Sequence, residues 1–345
     1  MMPPDFEHVA CDLCGQDRPQ VLFSGKDNFL PSAERFRLVK CTNCNLMYLD
    51  PRPTRAAIGR YYPESYLAYQ EFESRSVGVF NRNLAPWSVF KNRVKKSILR
   101  DYFRYRFPGE KLPSLKERLV ALFFLPQFLR RFYRVMPFIP GGRLLDIGCG
   151  NAANLVLLKE LGWQVRGVEI NQGCCAFAKE KFGIDVVCAD PLDASFDGKS
   201  FDCITMWHFL EHHHLPSKVL ERCREWLTDQ GLMVIGLPNC ASLEARTLKA
   251  YSALFDFPRH LYDFTPRTLK KLVEAKGFCL QRIVYSTSMP SFDWSLNTYA
   301  AATGKKWRIK SSWRMNPLVI AADYLLSFLH LSSSMILYCR KRTKK

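Results

Sequence analysis

Arg143-Leu144-Leu145-Asp146-Ile147-Gly148-Cys149-Gly150-Asn151 decides the fold of this chain. In immediate succession it offers a short apolar run, an acid near its end, two closely spaced glycines and a helix-forming stretch from Ala152 to Leu161. Glycine lets a backbone approach a ligand closely, and in an open parallel sheet a turn of this kind lies at the carboxyl ends of the strands, where ligands bind. Four more short runs follow at intervals of about 15 to 30 residues, each bounded by turn residues. They are QVRGVEI from Gln164, DVVCAD from Asp185, FDCITMW from Phe201 and LMVIGLP from Leu232, with helix-like segments such as Cys174 to Phe182 between them. Strands alternating with helices predict an α/β fold, a mostly parallel sheet with helices on both faces. Further along, CLQRIVYS and MILYCRK read as two last strands.

Glu169 closes the second run, 23 residues after Asp146, a spacing suited to an acid that holds ribose hydroxyls. A dinucleotide-binding turn of the G-x-G-x-x-G/A type competes, since Ala153 stands where its last residue would be. Asp146 tilts the choice. A carboxylate just before the turn repels a pyrophosphate, whereas it can accept hydrogen bonds from a cationic, amino-acid-bearing ligand.

On Asp146, Gly148 and Gly150 the sequence resembles the class I S-adenosylmethionine-dependent methyltransferases, with Ala152 where many members carry a further glycine. The resemblance implies a Rossmann-like, seven-stranded, mostly parallel sheet. It also implies that Asp146, Gly148, Gly150 and Glu169 bind the cofactor, that Asp190 lies near the adenine, and that Trp207-His208 ends the fourth strand beside the methyl group. The stretch Trp207-His208-Phe209-Leu210-Glu211-His212 is similar to one group of these enzymes, the Methyltransferase 23-like proteins. Phe257-Pro258-Arg259-His260-Leu261-Tyr262-Asp263-Phe264-Thr265 is similar to a later segment of the same group, and by that analogy Arg259 and His260 face the acceptor.

A histidine at neutral pH can take a proton from a hydroxyl, so His208 and His260 are the candidate bases. His208, Glu211 and His212 also spell H-x-x-E-H, a zinc-protease signature. That signature needs one helix through its whole length, and here an apolar strand runs straight into His208. A plainer role, in which His208 and Glu211 shape the cofactor pocket and proximity alone drives catalysis, stays open. Thr265 is expected to cap a helix.

Cys11-x-x-Cys14 and Cys41-x-x-Cys44 form two knuckles whose four thiolates suit a closed, tetrahedral structural zinc site. Their separation is long enough for a hairpin between them; redox dithiols and an iron–sulfur cluster are the competing readings. With Leu46 to Pro53 and Tyr61-Tyr62-Pro63, the arrangement is similar to the N-terminal zinc ribbon of bacterial sugar and surface-glycan methyltransferases. The other nine of the 13 cysteines fall mostly in or beside apolar runs, and no basic-then-apolar signal peptide opens the chain. A reducing, cytoplasmic setting is expected.

The chain divides by composition into a zinc ribbon over 1–60, a basic and aromatic helical linker over 61–140, and a methyltransferase domain over 141–345. Its formal net charge of +18 is local: residues 81–143 carry +12, residues 305–345 carry +9, and everything else sums to −3. Cations mixed with aromatics in KNRVKKSILRDYFRYR from Lys91, with an apolar run at 119–129, suit phosphates, nucleic acid or an anionic membrane surface. No transmembrane span is expected: Asp323, His330 and three serines interrupt Pro317 to Tyr338.

The expected activity is S-adenosylmethionine-dependent methyl transfer to a sugar, nucleotide-linked sugar or lipid-linked glycan, by an enzyme either free in the cytoplasm or peripheral at the inner membrane surface. An RNA methyltransferase and a non-catalytic zinc-ribbon binding protein are the alternatives. A small-molecule or glycan acceptor is the expected partner, nucleic acid less so.

Overall fold

A computed structural model describes residues 4–28, 30, 33–63, 79–80, 85–107, 109, 111–286, 292–310, 312–313 and 316–342. Parts of the expected linker, including residues 64–78, and the last three residues of the basic tail lie outside the described residues.

The N-terminal strands are β1 (Phe6–Glu7), β2 (Pro19–Gly25), β3 (Phe36–Cys41), β4 (Met47–Leu49) and β5 (Arg52–Pro53). Two helices follow, α1 (Pro86–Phe103) and α2 (Leu115–Arg131). The α/β portion runs β6 (Arg143–Ile147), α3 (Ala153–Glu160), β7 (Gln164–Glu169), α4 (Gln172–Phe182), β8 (Asp185–Cys188), β9 (Phe201–Trp207), α5 (Pro216–Trp226) and β10 (Leu227–Pro238). It closes with α6 (Leu243–Leu248), β11 (Tyr262–Asp263), α7 (Pro266–Ala275), β12 (Phe278–Ser286), α8 (Phe292–Ala302), α9 (Pro317–Phe328) and β13 (Ser334–Lys341).

The main sheet has seven strands in the order β12-β13-β10-β9-β6-β7-β8. β6, β7 and β8 pair in parallel, while β13 is antiparallel to both β10 and β12. This is the mostly parallel, Rossmann-like sheet expected, and each of the seven apolar runs supplies one strand. The runs form strands because they are covered on both faces: Leu144, Leu145 and Ile147 of β6, and Met233, Val234 and Ile235 of β10, are fully buried. Thr265 caps α7, accepting a hydrogen bond from the Thr268 backbone N–H at 3.1 Å.

By internal contacts the chain forms two compact units, one of residues 1–66 with 206–345 and one of residues 67–205. In the second, α1 packs on α2, and Tyr105 accepts a hydrogen bond from the Trp163 indole N–H at 2.9 Å. α2 opens with a capping box between Ser114 and Glu117 and runs on through Pro126.

In the first unit the hairpin expected between the cysteine knuckles is β2 and β3, paired antiparallel. A smaller sheet has the order β11-β4-β3-β2, so Tyr262 and Asp263 add a strand to the N-terminal module. Phe36, Leu38, Leu49 and Tyr61 from that module share one core with Cys240, Ala245, Leu254, Phe255 and Phe257. Gly25 is required there, because a Cβ would come within 2.1 Å of the Phe257 ring.

Candidate functional site

Gly148 and Gly150 have φ of +69° and +53°, the left-handed region that favours glycine, and Ala152 follows at +62°. Cys149 is buried beneath the turn, and its sulfur would be met at 2.6 Å by a Cβ on Gly167, so β7 needs glycine opposite it. α3 then starts with no side-chain cap from Ala152, leaving helix N-terminal amides to be satisfied at the turn.

Glu169 is 7% exposed at the end of β7. One carboxylate oxygen accepts from the Gly150 N–H at 2.8 Å, and the other accepts from the N–H groups of Ile170 and Asn171 at 2.9 Å. This carboxylate therefore ties the glycine turn to the end of β7. Asp190 lies in the turn after β8, where it accepts from the Leu192 N–H at 2.8 Å.

Asp146 is turned inward. It is 2% exposed, and its oxygens accept from Thr205 Oγ1 at 2.5 Å and Asn154 Nδ2 at 3.3 Å. Burial raises its pKa to about 6, although Thr205, Arg134 and Asn154 oppose that. Asp146 thus anchors the turn through side-chain hydrogen bonds. Thr205 and Asn154 escaped the sequence reading; the one signal for Thr205 was a hydroxyl in the middle of an otherwise apolar strand.

The histidine cluster is built at the end of β9. Trp207 is buried, and its ring lies where a Cβ on Gly236 of β10 would come within 2.4 Å of it. His208 follows with φ of +53°, and the chain turns through Glu211 and His212 without forming a helix, which removes the protease geometry. His208 Nδ1 lies 3.3 Å from a carboxylate oxygen of Glu211, with side chains 23% and 2% exposed. Burial alone would raise the Glu211 pKa, but the His208 contact and the charges of His212 and His260 hold it down to about 2. At 3.3 Å the pair is a close polar contact without hydrogen-bond alignment.

His260 is 7% exposed, and its Nδ1 sits 2.8 Å from the Leu254 carbonyl oxygen. His212 Nδ1 is 3.0 Å from both the Arg259 carbonyl oxygen and the Tyr62 hydroxyl. Burial lowers both imidazoles to about 4, so both rings are neutral at pH 7. Arg259, expected to face an acceptor, is instead fully buried in an internal network with Asp27, Asp256 and the Tyr61 carbonyl. A guanidinium inside a turn reads from sequence as surface; its partner Asp27 lies too far along the chain for spacing to reveal it.

The four knuckle cysteines converge. Cys11 and Cys44 sulfurs are 3.4 Å apart, Cys14 and Cys41 sulfurs 3.5 Å, and all four donor atoms lie within 4.8 Å of one another. Thiolates about 2.3 Å from a tetrahedral ion need nearly this spacing, so the cluster fits a zinc site.

Residues 117–282, which hold the glycine turn, its acids and the histidine cluster, match the family described as Methyltransferase domain. The class follows: the chain is an S-adenosylmethionine-dependent methyltransferase. It is similar to the ubiquinone biosynthesis O-methyltransferase of Cereibacter sphaeroides strain ATCC 17029, 28% identical over 203 residues, 51% of this chain and 78% of that protein. The enzyme of the same name from Coxiella burnetii strain Dugway is 25% identical over 134 residues, 37% of this chain and 55% of that protein. Among solved structures, an S-adenosylmethionine-dependent methyltransferase from Archaeoglobus fulgidus superposes with a TM-score of 0.43 at 26% identity, covering 63% of this chain and 93% of that one.

Proposed function

We propose that the chain methylates a sugar, a nucleotide-linked sugar or a lipid-linked glycan. S-adenosylmethionine, when bound, supplies an electrophilic methyl on a sulfonium that is already a good leaving group, so alignment is the protein's main contribution. Gly148 and Gly150 give the close backbone approach, Glu169 serves the ribose, and Asp190 and Trp207 serve the adenine and methyl ends. Asp146 acts through the turn it anchors.

The observation that carries the reading is the contact of His208 Nδ1 with ionised Glu211. A carboxylate facing Nδ1 favours the tautomer that leaves Nε2 to accept a proton from a hydroxyl. His260, more deeply buried, is the second candidate base. Zinc on Cys11, Cys14, Cys41 and Cys44 is the structural ion of the ribbon.

A second reading, supported by the relatives' name and by α2, is a phenol acceptor carried on a lipid. α2 exposes Leu115, Leu119, Leu122 and Phe123 at 75%, 61%, 56% and 79%, spaced to share one helix face. Lys116, Arg118, Arg130 and Arg131 accompany them, a composition suited to an anionic membrane surface. No helix among the described residues is long and apolar enough to cross a membrane.

The test is transfer of labelled methyl to a panel of nucleotide sugars, lipid-linked glycans, polyprenyl phenols and RNA. Transfer to sugar-bearing acceptors, with His208→Gln lowering kcat about 100-fold at unchanged donor affinity, is the expected result. Transfer confined to the phenols or to RNA would overturn the sugar assignment.

A further inference from the structure

Glu211 presents an electrostatic problem that the base reading leaves unsolved. Its carboxylate is buried, yet neither oxygen has a hydrogen-bond partner among the described residues. A buried charge is retained only where something compensates it, and the 3.3 Å contact from His208 reaches a single oxygen.

Two further donors stand beside that carboxylate. Donor atoms of Glu211, His212 and His260 all lie within 4.8 Å of one another, and the two imidazole rings meet edge to face with centroids 4.6 Å apart. A carbonyl oxygen can only accept, and the Arg259 and Leu254 carbonyls lie 3.0 and 2.8 Å from the two Nδ1 atoms, closer than the Asp256 N–H at 3.5 Å from that of His260, so they favour the proton of each ring on Nδ1. Each neutral ring then carries its lone pair on Nε2. An imidazole whose Nδ1–H is held by a backbone carbonyl has the arrangement that fixes the orientation of a metal-binding histidine.

We propose that Glu211, His212 and His260 form a second metal site, separate from the four cysteines, for a first-row divalent cation. Two imidazoles and one carboxylate suit zinc, iron, cobalt or nickel, and are too poor in oxygen for calcium or magnesium. Three protein ligands leave a position open for water or another oxygen ligand, unlike the closed tetrathiolate site. The cation neutralises the carboxylate, while the second Glu211 oxygen faces His208.

Metal binding at this site is read without methyl donor or acceptor. The full chain, with zinc on the ribbon, is titrated with Co2+ while visible absorption and metal content are followed. The expected result is a second ion per chain, with cobalt d–d bands and no thiolate charge-transfer band. Glu211→Gln and His260→Gln should each weaken it at least about tenfold. The control for folding is the ribbon itself: loaded with cobalt, its thiolate charge-transfer band should be the same in wild type and variants. One ion per chain in wild type, or unchanged Co2+ affinity in both variants, would overturn the proposal. Either result would leave the methyl-transfer reading standing, because the panel assay tests that separately.

Discussion

Arg259 and Asp27, 232 residues apart in sequence, form a two-pronged ion pair with both nitrogen–oxygen distances at 2.9 Å and neither side chain exposed. Arg259 also donates to Asp256 and to the Tyr61 carbonyl, so one guanidinium binds the N-terminal module to the segment that carries His260. Replacing it with methionine leaves buried Asp27 without its cation. Arg259→Met should destabilise the protein by about 3–5 kcal/mol, measured by urea unfolding, and the double variant with Asp27→Leu should recover part of the loss.

Glu169 holds the Gly150 amide and is the acid proposed for the ribose. Glu169→Ala should weaken S-adenosylmethionine binding by one to two orders of magnitude, the worth of about 1.5–3 kcal/mol in lost charged hydrogen bonds. Calorimetric titration reads this directly; an unchanged affinity with an intact far-ultraviolet spectrum would remove Glu169 from the cofactor site.

Burial raises Asp146 to about 6, so the folded state prefers the protonated acid. The stability this gives is complete below the unfolded value near 3.8 and is lost as pH rises through 6. Asp146→Asn removes that loss and can keep both partners, since the Thr205 hydroxyl can accept as well as donate. Its melting temperature should exceed that of wild type at pH 7.5, by up to about 3 kcal/mol in stability, with the difference closing below pH 4.

His260 titrates in the opposite sense. Burial lowers its pKa to about 4, so its contribution is complete above the unfolded value of 6.5 and fades as pH falls towards 4. At pH 5 the loss from this ring is about 2 kcal/mol. In metal-free protein, His260→Gln should flatten the fall in melting temperature between pH 7 and pH 5; an equally steep fall would place the acid sensitivity elsewhere.

The exposed leucine and phenylalanine face of α2 makes a separate prediction. Sedimentation with vesicles rich in phosphatidylglycerol should carry the protein down at low salt. Phe123→Glu should reduce the bound fraction several-fold while leaving thermal stability within about 0.5 kcal/mol, because the ring packs against little else.

Much of this architecture was legible in the chain. The glycine turn, the seven apolar runs and the cap at Thr265 each rest on local chemistry within a few residues, where spacing alone is informative. The knuckles announced a hairpin because Cys41 follows Cys14 at a distance that leaves room for one. What stayed hidden depends on residues far apart: β11 joining β4, Arg259 finding Asp27, and Thr205 turning its hydroxyl on Asp146. A two-residue strand such as Tyr262–Asp263 has no periodicity to read, and an arginine says nothing of which distant carboxylate it will meet.

The strand β11 also imposes an order of events during synthesis. Arg52 of the N-terminal module donates to Tyr262, 210 residues downstream. At about 5–20 residues per second, the module waits on the order of 10 to 40 s after leaving the ribosome before its fourth strand exists. Throughout that interval β4 is an open edge, and the cysteine knuckles are the part of the module that can close by themselves. Zinc on the knuckles, as proposed, would then act as a folding checkpoint, deciding whether the nascent amino-terminal segment is held ready for its partner or left available to chaperones and proteases.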